Sequence, residues 1–418
     1  MDRQSGLVFI FILPFSVYQW SAYMSPSSCL LFLSVFCCHA PTSLTWSERI
    51  RTRFLPRGNL YTLPQALLPP PSFPCRTLPG CGMTTTQHNR DLAQRPPYHT
   101  VDFKTLARTN PAFKQLWQSA SGKLDFQDPA TTKTLSRALL QSDFGLQLDV
   151  PDDRLCPPIP NRWNYVSWMQ GLIDSTSPTY SSSYDSERQV VGLDIGTGAS
   201  AIYTMLCLRS RPNWTMCATD IDKHSFDSAA RNLAINNLMT RTRLFQSTAS
   251  APLIPWQALA TEKLDFTICN PPFFADDAEM RASLQGDSKT WKPNAVCTGA
   301  HVEMVCPGGD LGFVTRLVQE SLVLREKVTW YTSMLGKLDS AKAILSLLKH
   351  HGITNWAVGV IDPGTATKRW TVAWSFTAWR PRNVCFPPIS SMASPLPARL
   401  RQCPFMMANR SKRRSPAP

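Results

Sequence analysis

The sequence predicts an α/β fold built on a mostly parallel sheet, and three observations predict it. Val190 to Ser200, VVGLDIGTGAS, reads as an apolar strand running into a glycine turn and then into an apolar helix over Ala199 to Leu208. From there to Phe376, strand-like and helix-like stretches alternate, the pattern of parallel strands joined by crossover helices. The last two strand-like runs, Trp356 to Ile361 and Trp370 to Phe376, are separated only by a Gly- and Thr-rich connection, so an antiparallel hairpin closes the sheet.

The glycine turn is the first candidate site. Val190, Val191, Leu193 and Ile195 suit a central strand, while Asp194, Gly196 and Gly198 carry the chain round where a side chain would block close approach of a ligand. Strand, turn and helix together suit a dinucleotide or S-adenosylmethionine. Taken alone, the same turn also serves any tight strand-to-helix junction. A second strand, Trp214 to Ala218, ends in Thr219-Asp220-Ile221-Asp222. A carboxylate at that tip can accept from both ribose hydroxyls, which makes Asp220 the candidate; Asp222 is assigned to cap the following helix, Ser225 to Leu238. Leu244 to Thr248 is the expected third strand.

The fourth strand, Leu264 to Cys269, brings the chemistry. Asn270-Pro271-Pro272-Phe273-Phe274 sits just beyond its carboxyl end, where open α/β sheets place ligands. An exocyclic adenine amine is a poor nucleophile because its lone pair is conjugated with the ring. The Asn270 amide oxygen and the Pro271 carbonyl can accept both amine hydrogens and localise that lone pair toward a sulfonium methyl. Pro271 and Pro272 fix the backbone beforehand, and Phe273 with Phe274 suits stacking on an extruded base. The bland reading, an ordinary Asn-Pro-Pro turn, sits poorly with a position downstream of a glycine turn and an acidic tip. The expected reaction is methyl transfer to an amino group. The same motif type serves DNA-adenine and protein-glutamine methyltransferases, whose acceptors present a similar planar nitrogen, and a retired fold kept as an RNA-binding module is the non-catalytic alternative.

Beyond the motif, Ala275 to Ala295 has no apolar period and reads as a charged loop, a lid or an insertion, in which Lys289, Trp291 and Lys292 suit nucleic acid. Gly308-Gly309 precedes a helix over Leu311 to Lys327, Val328 to Leu335 is a strand ending at Gly336-Lys337, and Ser340 to His350 is a helix.

Before the glycine turn, residues 83–170 form an N-terminal addition. Helices are expected over Phe103 to Arg108 and Pro111 to Ser119, a short strand over Gly122 to Phe126, and a third helix capped by Asp128, opened by Pro129 and ended at Asp143-Phe144-Gly145. Arg162 to Trp168 mixes a cation with aromatics. This section suits one wall of a single-stranded RNA groove or a helical cap over the cofactor.

The ends differ in composition from the middle. Net charge is +4 over residues 1–82, +2 over 83–378 and +8 over 379–418, so the basicity of the chain lies mostly in its tails. Residues 1–82 carry two apolar runs, Leu7 to Phe15 and Cys29 to Cys38, but neither reaches the roughly 18 uninterrupted residues of a membrane span, and Pro14, Gln19 and Pro26 break the joined stretch. This segment is read as lying outside the enzyme, with a start at Met83, and no membrane is expected for the folded core. Residues 377–418 are read as a basic disordered tail, in which Ser411-Lys412-Arg413-Arg414 suits RNA or a nuclear address. The expected location is the nucleus, with the cytoplasm as the alternative. Thirteen cysteines, five of them before Met83 and none in a C-x-x-C pair, fit a reducing compartment, and no metal site is predicted.

From about Pro96 to Phe376 the chain resembles the U6 small nuclear RNA adenine-N6 methyltransferase family, the methyltransferase-like sixteen group, which is related to bacterial 23S rRNA adenine-N6 methyltransferases. The resemblance rests on Asp143-Phe144-Gly145-Leu146, Asn164-Tyr165, Leu193 to Ser200, Ala218-Thr219-Asp220, Cys269 to Phe274, Thr298-Gly299, Met334-Leu335-Gly336-Lys337, and Arg369-Trp370 with Ala373 to Phe376. It implies a Rossmann-like class I S-adenosylmethionine-dependent methyltransferase over residues 187–376. It also implies a structured RNA partner with an extruded adenosine, in U6 RNA or ribosomal RNA. By position it implies Arg162 at the cofactor carboxylate, Gly196 in the glycine turn, Asp220 at the ribose, Thr248 near the cofactor adenine and Asn270 between cofactor and target base. Asp220 stands where animal members carry a glutamate, and the C-terminal RNA-binding region of those members has no recognisable counterpart.

Overall fold

The structure, a computed structural model, describes residues 92–179, 183–285, 299–364 and 368–381. The expectations for residues 1–82, for the tail beyond 381 and for Lys289, Trp291 and Lys292 lie outside the described residues.

The N-terminal addition is built from helices α1 (Phe103–Thr109), α2 (Pro111–Ser119), α3 (Pro129–Phe144) and α4 (Ile159–Ser175). Asp128 caps α3 by accepting from Ala130 N and Thr131 N, and Gly145 ends it in the left-handed region at φ +63°. Gly122 to Phe126 is not a strand, contrary to expectation. Gly122 N donates to Trp117 O at 2.9 Å, which commits the segment to a turn that closes α2, and among the described residues it pairs with no strand. α4 was not expected from the pattern around Arg162 to Trp168. It is buried on nearly all sides, including Arg162, Asn164 and Gln170, so no single apolar stripe marks it. Phe113, Trp163 and Tyr165 are fully buried and offer no stacking face to a base.

The sheet and its crossovers follow: β1 (Val190–Ile195), α5 (Ile202–Ser210), β2 (Trp214–Asp220), α6 (Lys223–Ile235), β3 (Thr242–Gln246), α7 (Trp256–Leu259) and β4 (Leu264–Cys269). Then come α8 (Asp277–Gln285), α9 (His301–Met304), α10 (Gly309–Leu324), β5 (Val328–Leu335), α11 (Leu338–His350), β6 (Asn355–Ile361) and β7 (Arg369–Ser375). α8 corrects the expectation of a loop after the motif: Asp277 and Glu279 in its first turn favour a helix that has no strong apolar stripe to announce it.

Strand order is β3-β2-β1-β4-β5-β7-β6, parallel except for β7, which runs antiparallel to both neighbours. The order reverses between β1 and β4, so the crevice at their carboxyl ends is the switch point of the sheet. Register sets the site: Ile195 lies level with Thr219 of β2 and with Cys269 of β4, so Gly196, Asp220 and Asn270 leave the sheet side by side. The far half is locked by aromatics. Tyr331 stands opposite Trp374 across β5 and β7 with ring centroids 5.7 Å apart at 9°, and Trp374 Nε1 donates to Ser321 Oγ at 2.9 Å. Among the described residues no helix is long and apolar enough to cross a membrane, and no three His, Cys, Asp or Glu gather as metal ligands.

Candidate active site

At the end of β1, Gly196 and Gly198 have φ of +68° and +63°, and a Cβ built on Gly196 would meet nothing within 4 Å. The turn needs glycine for its backbone and leaves open space above it. Asp194 is wholly buried. Its Oδ2 accepts from Thr197 Oγ1 at 2.8 Å, Thr204 Oγ1 at 2.9 Å and Thr204 N at 3.2 Å, whereas Oδ1 is buried without a partner among the described residues. Burial pushes the Asp194 carboxyl up to about 6, against the lowering effect of the Thr197 and Thr204 hydrogen bonds.

Asp220, at the tip of β2, ties itself to the turn: Gly198 N donates to Oδ2 at 2.8 Å and Asp222 N to Oδ1 at 2.9 Å. Burial raises its carboxyl, and each oxygen keeps a second lone pair for a ribose hydroxyl. Asp222 caps α6, accepting from Ser225 N at 2.8 Å, and is paired with Arg154 at 2.9 Å. Thr248 is exposed and lies just beyond β3, at the margin of the group, with Oγ1 3.3 Å from Ser250 Oγ.

Asn270 follows β4 directly. Arg162 Nη1 donates to Asn270 Oδ1 at 3.0 Å and to Tyr203 Oη at 3.1 Å. This bond fixes which end of the amide is the acceptor and leaves Oδ1 a second lone pair. Arg162 is only 5% exposed, yet no carboxylate of the described residues pairs with it, and its Nε and Nη2 have no protein partner there. A buried guanidinium without a counter-ion is unfavourable, so these nitrogens suit an anion.

The motif is gripped from the other side. Phe273 N and Phe274 N donate to Met304 O at 3.0 and 2.9 Å, and Cys306 N donates to Phe274 O at 3.0 Å. Gly309, at φ +59°, approaches so closely that a Cβ would lie 3.0 Å from Phe273 O. Among the described residues no N–H donates to the Pro271 carbonyl. The Phe273 and Phe274 rings meet edge-on at 6.4 Å, and the Arg369 guanidinium lies 5.7 Å from the Phe273 centroid. Asp310 is buried and accepts from Gly336 N and Ser340 Oγ, each at 2.7 Å, which braces the turn after β5 against α10. Glu279 of α8 accepts from Ala275 N at 2.8 Å and pairs with Lys337.

The structure therefore gathers Arg162, Asp194, Gly196, Gly198, Asp220 and Asn270 around one crevice, with Pro271, Pro272, Phe273 and Phe274 along its edge. Among the described residues, a buried guanidinium without a carboxylate partner, the Asp220 carboxylate at the tip of β2 and an Asp194 oxygen without a partner below an open turn fit S-adenosylmethionine, which carries a carboxylate, a ribose and positive charge.

A family model described as RNA methyltransferase matches residues 86–378. The chain belongs to the RNA methyltransferase family. The U6 small nuclear RNA (adenine-(43)-N(6))-methyltransferase of Schizosaccharomyces pombe is 35% identical over 274 residues, covering 66% of this chain and 68% of that one. The Ribosomal RNA large subunit methyltransferase F of Flavobacterium johnsoniae is 32% identical over 288 residues, covering 66% and 90%. The Homo sapiens RNA N(6)-adenosine-methyltransferase METTL16 is 35% identical over 303 residues, covering 70% of this chain and 51% of that one; the chain spans about half the length of this relative. Among solved structures, the hMettl16 catalytic domain in complex with MAT2A 3'UTR hairpin 1 matches with a TM-score of 0.58 at 34% identity, covering 68% of this chain and 93% of that chain. The fold of this RNA methyltransferase is accordingly that of the class I S-adenosylmethionine-dependent enzymes, with helices added ahead of the first strand.

Several residues of the site gave no signal of their own in the sequence. Tyr203, which holds Arg162, sits in an apolar helix and reads as core. Gly309 reads only as part of a helix boundary, and the contacts of Gly309 and Asp310 with Phe273 and Gly336 appear only when distant segments meet.

Proposed function

We propose that this chain transfers a methyl group from S-adenosylmethionine to N6 of an adenosine in structured RNA, and that its substrate is U6 small nuclear RNA in the nucleus. Arg162 carries the reading: it is a buried cation with no carboxylate partner among the described residues, bonded to the amide oxygen of Asn270. S-adenosylmethionine, when bound, supplies an electrophilic methyl group on a sulfonium. Arg162 holds the cofactor carboxylate through its unused guanidinium nitrogens. Asp220 accepts from the ribose hydroxyls, Gly196 and Gly198 allow close approach, Asp194 places negative charge beneath the turn, and Thr248 lies toward the adenine end.

Asn270 Oδ1 and Pro271 O accept the two hydrogens of the target amine and draw its lone pair out of conjugation with the ring. Pro271 and Pro272 keep these acceptors fixed, so little reorganisation is needed at reaction. Both acceptors hold these hydrogens while the nitrogen takes the methyl, whose bond to sulfur breaks to leave a thioether; one of the two hydrogens is then lost as a proton to solvent, and the other acceptor keeps the remaining N–H. Phe273 and Phe274 stack on the base. Residues 187–376 form the catalytic core in this reading and residues 92–170 cover it, while residues 1–82 and 377–418 lie outside the reaction.

The U6 assignment draws on the name of the S. pombe relative, and the RNA hairpin in the METTL16 catalytic-domain structure supports a structured RNA. A ribosomal RNA target is the second reading, favoured by the near-complete coverage of the bacterial relative. Labelled S-adenosylmethionine, total cellular RNA and the full chain distinguish them. Label confined to one site in U6 RNA is expected, label in large-subunit ribosomal RNA moves the assignment to that substrate, and absence of label from RNA contradicts both.

A further inference from the structure

A third carboxylate faces the glycine turn. Glu303 lies in α9 immediately before Met304, whose carbonyl accepts from Phe273 N and Phe274 N, so it stands between the motif and the turn. One of its oxygens is committed: Oε2 accepts from Ala300 N at 2.8 Å and from Leu155 N at 3.0 Å. The other, Oε1, has no protein partner among the described residues and lies 3.6 Å from where a Cβ of Gly198 would be.

Burial raises the Glu303 carboxyl, and the charge of Asp220 raises it further, while the two N–H donors and Arg154 lower it. Arg154 is itself engaged with Asp153 at 2.6 Å and Asp222 at 2.9 Å. Asp194, whose Oδ1 is buried without a partner among the described residues, adds negative charge beneath the same turn through its contact with Thr197. The carboxylates of Glu303 and Asp220 thus lie at Gly198 on one side, and a guanidinium without a carboxylate partner among the described residues lies at Asn270 on the other. An α-amino acid end carries an ammonium and a carboxylate on one carbon and satisfies both.

We infer that Glu303 Oε1 accepts a hydrogen bond from the α-ammonium of the cofactor's amino-acid end while Arg162 takes its carboxylate. The inference rests on the S-adenosylmethionine reading above and assigns a residue to a part of the cofactor that the sequence left without one. It also explains why Glu303 holds Leu155 and Ala300: the segment ahead of α4 and the segment ahead of α9 close over the ammonium together.

Calorimetric titration of the full chain with S-adenosylhomocysteine, and with the analogue lacking only its α-amino group, tests this. The parent protein is expected to bind the deaminated analogue about tenfold or more weakly, as loss of a hydrogen bond between charged groups implies. Equal affinities overturn the inference without any variant. Glu303→Gln keeps an amide oxygen for Leu155 N and Ala300 N but loses the charge, and is expected to bind S-adenosylhomocysteine about tenfold more weakly while binding the deaminated analogue as the parent does. Equal loss toward both ligands makes Glu303 a structural brace and overturns the inference, as does no loss toward either. A parent chain that binds neither ligand overturns the S-adenosylmethionine reading itself.

Discussion

Arg162 Nη1 lies 3.0 Å from Asn270 Oδ1, so the residue assigned to the cofactor carboxylate also orients the amide assigned to the target base. The two halves of the reaction meet at one hydrogen bond between α4 and the end of β4. Arg162 is a fork, with one nitrogen on Asn270 and others free for an anion, and a lysine ammonium cannot serve both partners in that fixed geometry.

Arg162→Lys is therefore expected to weaken S-adenosylhomocysteine binding by about tenfold or more and also to lower the turnover number at saturating cofactor, since Asn270 loses its anchor. Calorimetry and initial rates separate the two effects. Weakened binding with an unchanged turnover number contradicts the shared role.

Asp194 carries a pH signature. Its carboxyl is raised to about 6 in the folded chain from an ordinary 3.8, so between these values the folded state holds a proton that the unfolded state has lost. Stability contributed through this group therefore falls as pH rises from about 4 to about 6. Asp194→Asn removes the dependence. Denaturant unfolding across this range is expected to show the parent losing up to about 3 kcal/mol relative to the variant, the value of a two-unit shift. A difference independent of pH contradicts an ionised carboxylate held in that burial. Cofactor affinity is expected to rise through the same window, because positive charge above the turn favours the ionised form.

Gly309→Ala tests how the motif is held. The substitution places a Cβ about 3.0 Å from Phe273 O on a left-handed backbone. It is expected to cost about 1–3 kcal/mol of stability and to reduce the turnover number at saturating cofactor. Thermal unfolding and rates measured on the folded fraction check this, and a stable, fully active variant shows that the contact does not set the motif's position.

What the sequence revealed and what it hid divide along physical lines. The strands were legible because each is a short apolar run bounded by turn residues, and Asp128, Asp222 and Gly145 marked helix ends by chemistry that acts within a few residues. α4 was hidden because Arg162, Asn164 and Gln170 are buried inside it with specific partners, which erases the apolar period. Gly122 to Phe126 has the composition of a strand but pairs with no other strand among the described residues, and α8 is too polar to show a stripe. In the site, Gly196, Asp220 and Asn270 were readable because each immediately follows or ends a strand, and Gly198 because it completes the glycine turn after the first. Tyr203, Glu303 and Gly309 were not, because their roles depend on contacts with segments distant in sequence.

The central claim is that Asn270 activates an adenine amine for methylation, and nucleoside-resolved transfer of labelled methyl to purified U6 RNA tests it most directly, comparing the full chain with Asn270→Ala at saturating cofactor. The account predicts label in N6-methyladenosine with the parent and a rate lower by about a hundredfold or more with the variant, the scale of losing a preorganised polar contact. Label in any other nucleoside, or near-parental turnover by Asn270→Ala, contradicts it.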